Sequence, residues 1–336
     1  MEDQIVIEKC KVAIVILVWN NYKNTKECLE SLRKITYSSL EIIVVDNNSS
    51  DGSCIQLQKE YKDIKFIFND ENLGYAAGNN RGIEYAISNG ADFVFVMNND
   101  VTIDSPNIID RMLESYRKIP QLGILGPKLL QLSSSGDFYE VSYKSKYYDI
   151  IRKILLRKQF DKNKVNNDAI IEIRTVVSGC ALMIKREVIE KIGGFNEEFF
   201  MFVEENDLCL RAIKSGFIVG QANHDDTIVR HLGGVSYNKV AAWKYFLLNR
   251  NKFIEFRSFN MIGQFVLFAS HLIGLTGRSF KWLIKGDINY IISSFLGTIF
   301  GVRLWVKNIL NKSVKGEYLE QGRQVASGKH PIRKFF

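Results

Sequence analysis

The stretch 41–53, EIIVVDNNSSDGS, decides the fold. Four consecutive β-branched residues bounded by acids read as a strand buried on both faces. Asp46 stands at its end, and a small polar turn leads to a helix with Ser53 as the expected N-cap. Outward from it the same unit repeats. Residues 11–18 (KVAIVILV), 64–68 and 92–97 (DFVFVM) are further strands; 25–35, 54–61, 76–88 and 106–118 have helical spacing. Such alternation predicts a mostly parallel sheet with helices on both faces. Ligands then bind at the carboxyl ends of the strands.

The strand ends carry the polar residues. After the first strand comes Trp19-Asn20-Asn21-Tyr22, and after the third NDENLGYAAGNNRG, residues 69–82. Its glycines let backbone approach a ligand, and the following helix would offer N–H groups to an anion. The pattern is neither a dinucleotide fingerprint nor a P-loop. Asn98-Asn99-Asp100 follows the fourth strand, an oxygen-rich cluster suited to a hard divalent cation completed by substrate phosphates. Farther on, 178–184 (SGCALMI) reads as a tight strand, followed by FFMFVEENDLCLR at 199–211. Glu204 and Asp207 share a helix face, and Glu205 is rotated roughly 100° away. The apolar run 199–202 would desolvate these acids and strengthen a carboxylate as a base. Arg230-His231-Leu232-Gly233-Gly234 follows a short expected strand, 226–229.

Taken in this order, VVDNNSSDGS, ENLGYAAGNNRGI, FVFVMNNDV, the 179–211 segment and RHLGG resemble glycosyltransferase family 2, the inverting GT-A-fold enzymes, and within them the bacterial rhamnosyltransferase-like subgroup. The resemblance covers about residues 10–255 and implies a role for each matching position. Asp46 would read the nucleobase, with Asn20 nearby. Gly74, Asn79 and Arg81 would face the nucleotide and its diphosphate. Asn98-Asn99-Asp100 occupies the D-x-D position with Asn98 in place of the first Asp, so Asp100 is the metal-binding carboxylate for Mg²⁺ or Mn²⁺. His231 would reach that metal or the diphosphate. Glu204-Glu205 matches the pair usually written Glu-Asp, whose second member is the base; a Glu in both places leaves the choice between them open. Asp207 would support the site. The implied donor is a nucleotide diphosphate sugar, dTDP-rhamnose first and a UDP-sugar second, and the implied acceptor a lipid-linked glycan.

Composition bounds the rest. Of 336 residues, 45 are Lys or Arg and 37 Asp or Glu, a net charge of +8. Residues 257–336 hold twelve Lys/Arg and three acids, a net +9, so the whole excess lies there and residues 1–256 are nearly neutral. Two apolar runs, 261–275 and 288–300, fall short of the roughly 20 residues that span a bilayer. Their basic and aromatic flanks suit the surface of an anionic membrane, where each cation is worth about 1 kcal/mol. A buried helix pair forming a homodimer is the alternative. The expected division is therefore a catalytic domain at 1–255, with a rim insertion at 131–170, and a basic helical region at 256–336. The expected location is the cytoplasmic face of the cell membrane. No signal-peptide pattern is read at the start. The five cysteines form no C-x-x-C pair, which argues against a disulfide framework or structural zinc. Nucleic-acid binding is not expected, because the basic excess accompanies apolar runs. Two other functions share some of these features. A nucleotidyltransferase would need a basic, Gly-rich loop after the first strand, which 19–22 lacks. A non-catalytic membrane scaffold would not need Asp100, the acid pair and His231 together.

Overall fold

The computed structural model describes residues 10–133, 135–140, 154, 156, 171–232, 241–310 and 315–326. Its centre is β1 (Val12–Val18), whose residues are buried except for partly exposed Leu17. Strands β2 (Leu40–Asp46), β3 (Lys65–Phe68) and β4 (Phe93–Asn98) lie parallel to it in the order 3-2-1-4. The register aligns their ends: Val18 stands opposite Asp46, Asp46 opposite Phe68, and Leu17 opposite Asn98. Helices α1 (Tyr22–Leu32), α2 (Ser53–Glu60) and α3 (Gly74–Ser88) make the crossovers. Between them these elements match the expected strand–helix order. The expected cap at Ser53 is corrected. Gly52 precedes α2 in a left-handed conformation, Ser53 is the first helical residue, and its amide donates to Asp51 Oδ1 at 2.9 Å.

Beyond β4 the sheet becomes mixed. β5 (Val101–Ile103) leaves for a second sheet, α4 (Ile108–Lys118) covers the face, and β6 (Leu122–Gly126) rejoins the first. β7 (Lys128–Leu132) and β8 (Phe138–Glu140) form an antiparallel pair, and β9 (Ile171–Ile173) edges the main sheet. The rest of the expected rim insertion, including nearly all of its basic amphipathic stretch, lies outside the described residues. β10 (Ala181–Lys185) inserts antiparallel between β4 and β6, with Ala181 opposite Met97. α5 (Arg186–Ile192), α6 (Glu204–Lys214), β11 (Ile218–Ala222) and β12 (Ile228–His231) complete the two sheets, eight and four strands wide. The last strand starts two residues later than expected, because residues 225–227 wind into a 3₁₀ turn, so His231 lies within β12 and not after it. β12 is antiparallel to β5, and His231 stands opposite Val101.

Four helices follow: α7 (Ala241–Phe256), α8 (Met261–Lys285), α9 (Ile288–Ile309) and α10 (Lys315–Ala326). The apolar runs are shorter than the helices that contain them, because Arg303 and Lys307 extend α9 at its C-terminal turns, where cations suit the helix dipole. At 22 residues α9 is therefore long and apolar enough to cross a membrane, which corrects the expectation for that run. Part of it is nevertheless buried against the rest of the protein, including Ser293, Gly297, Gly301, Leu304 and Trp305. Ser293, Gly297 and Gly301 recur every four residues, and a Cβ on Gly297 would overlap the Phe246 carbonyl of α7. Small residues at this spacing let two backbones close. On the other side, Phe295 and Ile299 are exposed, as are Ile273, Phe280, Leu283 and Ile284 of α8.

Candidate active site

The loops at the ends of β1, β2 and β3 are laced into one rim. Asn20 sits at φ 63°, a conformation that Asn tolerates better than most residues. Its backbone N–H donates to Ser49 Oγ at 2.8 Å, and its Oδ1 accepts from the Ser50 amide at 2.9 Å. Asp46 is buried at the tip of β2 and accepts from the Ser49 amide at 3.0 Å. Asn47 joins the third loop. Its Nδ2 donates to Asn72 Oδ1 at 2.9 Å and the Gly74 carbonyl at 3.1 Å, and its Oδ1 accepts from the Leu73 amide at 3.0 Å. Asn79 is fully buried, with Nδ2 on the Tyr75 carbonyl and Oδ1 unpartnered.

The N-terminus of α3 differs from expectation. Its amides are already engaged: Gly74 with Asn72 Oδ1 at 2.9 Å, Tyr75 and Ala76 with the Phe200 carbonyl at 2.6 and 3.2 Å. An anion would have to displace these bonds. Gly74 is required here for a different reason. At φ +78° a Cβ would lie 2.5 Å from both the Phe200 ring and its carbonyl oxygen. Arg81 is not brought to the site. Its side chain is 57% exposed on the outer face of α3, 3.8 Å from Glu84.

At the end of β4, the Asn98 amide donates to the Cys180 carbonyl at 2.9 Å, and Asn99 Nδ2 donates to Thr25 Oγ1 at 2.9 Å. Asp100 and His231 are both buried, although 131 positions separate them, because β12 pairs with β5 and the Leu232 amide donates to the Asp100 carbonyl. Asp100 Oδ1 lies 3.3 Å from His231 Nε2, an ion-pair distance without the alignment of a hydrogen bond, so among the described residues this buried oxygen has no hydrogen-bond donor. Both ring nitrogens of His231 lie 3.8 Å from Cys180 Sγ. Burial opposes charge on this imidazole, but the Asp100 carboxylate and Cys180 outweigh it and push the pKa up to about 10. A divalent cation would have to displace the imidazolium proton; the carboxylate oxygen and the neutral imidazole nitrogen would then both suit it. Among the described residues no group of three His, Cys, Asp or Glu side chains forms a metal cage, so water and substrate oxygens would complete such a shell.

The acid pair enters from the other side. Gly179, next to Cys180, faces Glu205: a Cβ there would lie 3.6–3.7 Å from the Glu205 side chain. Tyr75 Oη donates to the Gly179 carbonyl at 2.5 Å, tying α3 to the same segment. Residues 179–180 thus touch His231 on one side and Glu205 on the other. Glu204 is buried, with Oε2 unpartnered. Burial, then the neighbouring Glu205 charge, holds its pKa well above the usual carboxylate range. Glu205 is half-buried. Asp207, buried on the Glu204 face, accepts from Arg211 Nε at 2.7 Å, while that guanidinium also binds the Ile192 and Gly194 carbonyls at 2.7 Å each. Asp207 thereby anchors, through Arg211, the end of α5 and the glycine pair that follows it against α6. Phe200, Phe202 and Val203, just before the acids, have φ of 61°, 72° and 74°. For aromatic and β-branched residues this backbone costs on the order of 1–3 kcal/mol apiece.

Several residues of this neighbourhood were not singled out from sequence. Cys180 sits in a segment that reads as a strand, Tyr75 in the Gly-rich loop just before a helix, and Asn47 reads as an ordinary turn residue. Lys244 of α7 stands 5.9 Å from the Phe202 ring centre, and burial lowers its pKa.

The family model described as Glycosyl transferase family 2 matches residues 13–193. A low-salt glycan biosynthesis hexosyltransferase, Agl10, of Haloferax volcanii is 27% identical over 289 residues, 84% of this chain and 89% of its own. An N-acetylglucosaminyl-diphospho-decaprenol L-rhamnosyltransferase of Mycobacterium tuberculosis is 26% identical over 61% of this chain and 71% of its own. Among solved structures, the mannosyltransferase PcManGT from Pyrobaculum calidifontis, in complex with GDP-Man and Mn²⁺, superposes with a TM-score of 0.54 at 14% identity, covering 98% of this chain and 84% of that one. Residues 1–349 of S. aureus TarS give a TM-score of 0.55 at 14% identity, covering 97% and 92%. The fold is thus the GT-A type, and the chain belongs to glycosyltransferase family 2.

Proposed function

We propose that this glycosyltransferase is an inverting hexosyltransferase that moves a sugar from a nucleotide diphosphate donor to a hydroxyl of a lipid-linked glycan. dTDP-rhamnose is the first donor to test and UDP-sugars the second. The rhamnosyltransferase and hexosyltransferase relatives support the sugar class, and the decaprenol in one relative's name supports the lipid-linked acceptor. The observation that carries the reading is the buried, donorless Oδ1 of Asp100 beside His231, across residues 179–180 from Glu205.

In this mechanism Asp46 and Asn20 bind the base and ribose end of the donor. Asp100 and His231 would hold Mg²⁺ or Mn²⁺. A divalent cation supplies neutralisation of the charge that grows on a departing diphosphate. Glu205, the more accessible acid, takes the proton of the acceptor hydroxyl as that oxygen attacks the anomeric carbon from the face opposite the leaving group. One displacement inverts the centre, so no nucleophilic carboxylate is required. Burial raises the pKa of Glu204 behind it, which disfavours a second negative charge beside Glu205.

The exposed apolar side chains of α8 and α9, with exposed Lys281, Lys285 and Arg303 among them, support peripheral seating on the anionic cytoplasmic face of the membrane. The test is turnover of dTDP-rhamnose on decaprenyl-diphospho-N-acetylglucosamine. Asp100→Ala and Glu205→Gln should each lower it by at least about 10². Wild-type rates in both would overturn the assignment.

A further inference from the structure

We propose that Arg250 and Asn251 of α7 are positioning residues for the acid pair, holding turn 199–203 in the left-handed backbone from which Glu204 and Glu205 are presented. Both side chains are fully buried. Asn251 Nδ2 lies 3.0, 2.8 and 2.7 Å from the carbonyls of Phe199, Met201 and Phe202. The amide is oriented by its neighbour, because Arg250 donates to Asn251 Oδ1 from Nε at 2.9 Å and from a terminal nitrogen at 2.7 Å. That same nitrogen reaches the Phe199 carbonyl at 3.3 Å. With Oδ1 occupied by the guanidinium, Nδ2 faces the turn.

The carbonyls that Asn251 gathers belong to or flank the residues with positive φ. A bulky residue keeps such a backbone only when its surroundings over-determine it. Here the surroundings converge on one short segment. Arg257, just past α7, pairs with Glu198, and Gly322 of α10 lies against the Phe200 side chain. The Phe200 carbonyl left over from the Asn251 cluster engages the first amides of α3. The acids therefore sit between a sheet that bears Asp100 and a helix that fixes their approach. This inference rests on the reading of Glu205 as the base.

Asn251→Asp keeps the shape and Oδ1 but removes the Nδ2 donors. Phe253→Leu, on the same helix but facing Trp305 and His271, serves as a control for general loss of stability. Hydrogen exchange at the amides of 200–206 and turnover of dTDP-rhamnose on decaprenyl-diphospho-N-acetylglucosamine are measured for each. Asn251→Asp should accelerate exchange there at least tenfold and lower kcat at least tenfold, with the donor KM within threefold. Adding Val203→Gly, which adopts positive φ freely, should recover kcat to within threefold. Phe253→Leu should leave both readouts within threefold. If Asn251→Asp does not fold, Arg250→Lys carries the same comparison. Wild-type exchange and kcat in these variants, or equal losses in Phe253→Leu, overturn the proposal. Glu205→Gln run in parallel separates the two claims: full activity there refutes the base assignment, while the exchange data still decide whether the clamp holds the turn.

Discussion

Replacing Gly74 by alanine isolates the contact between α3 and the acid-bearing turn. Two penalties combine. A side chain at φ +78° costs about 1–2 kcal/mol. The new Cβ also lies 2.5 Å from the Phe200 ring and carbonyl oxygen, and overpacking of this kind costs about 1–3 kcal/mol. Gly90 provides the control, since its φ is +84° with nothing within 4 Å of a Cβ. Gly90→Ala should show the backbone penalty alone, and Gly74→Ala should exceed it by the collision, about 1–3 kcal/mol in denaturant unfolding. The collision can be relieved only by moving Phe200, four residues before Glu204. A displacement near 1 Å at a catalytic group is worth up to about 10² in rate. We therefore expect Gly74→Ala to lower kcat by about 10–100-fold with little change in the donor KM, and Gly90→Ala to stay within about twofold. Equal stability and equal kcat in the two variants would refute the reasoning. A loss confined to donor KM would show that Gly74 acts on the nucleotide and not on the turn.

Glu204 makes stability pH-dependent. Its folded pKa lies above the ordinary 4.5, so the folded state binds the proton more tightly than the unfolded chain. The stabilisation is complete below about 4.5 and is lost as pH rises through the folded pKa. Glu204→Gln should flatten this decline in urea unfolding as pH rises above about 4.5; an unchanged slope would contradict it. Arg81→Ala should keep turnover within about twofold and stability within about 0.5 kcal/mol, because its guanidinium is exposed and its ion pair weak. Ile284→Asp, on the exposed apolar face of α8, should reduce co-flotation with phosphatidylglycerol vesicles several-fold without altering nucleotide binding. Undiminished flotation would argue against that face as the membrane contact.

The sheet was legible because burial on both faces writes itself into the chain as runs such as VAIVILV and IIVV, and crossover helices separate them by regular intervals. Asp46, Asn98 and Asp100 could be placed for the same reason: a strand end fixes its position before any tertiary contact is known. What the sequence concealed depends on long-range closure. His231 meets Asp100 only through the pairing of two short strands, and only a motif resemblance hinted at it. Gly74 was marked as a ligand-facing glycine, yet its lack of a side chain admits Phe200 from a turn 126 positions away. Arg81 matched by position within a motif, but helix phase turns it outward, as the exposed 81 and 84 beside buried 79, 80, 82 and 83 record. Positive φ at Phe200, Phe202 and Val203 has no signature in residue type, since these are the residues least suited to it. Arg250 and Asn251 would pass for the polar face of a helix.

The most direct measurement is a crystal structure of the protein with Mn²⁺ and an unhydrolysable donor analogue. The account predicts the cation bonded to Asp100 Oδ1 beside His231, the diphosphate on that cation, and the anomeric carbon turned toward the Glu205 carboxylate across residues 179–180. A donor bound with its diphosphate elsewhere, or with Glu205 on the leaving-group side of the sugar, would contradict it.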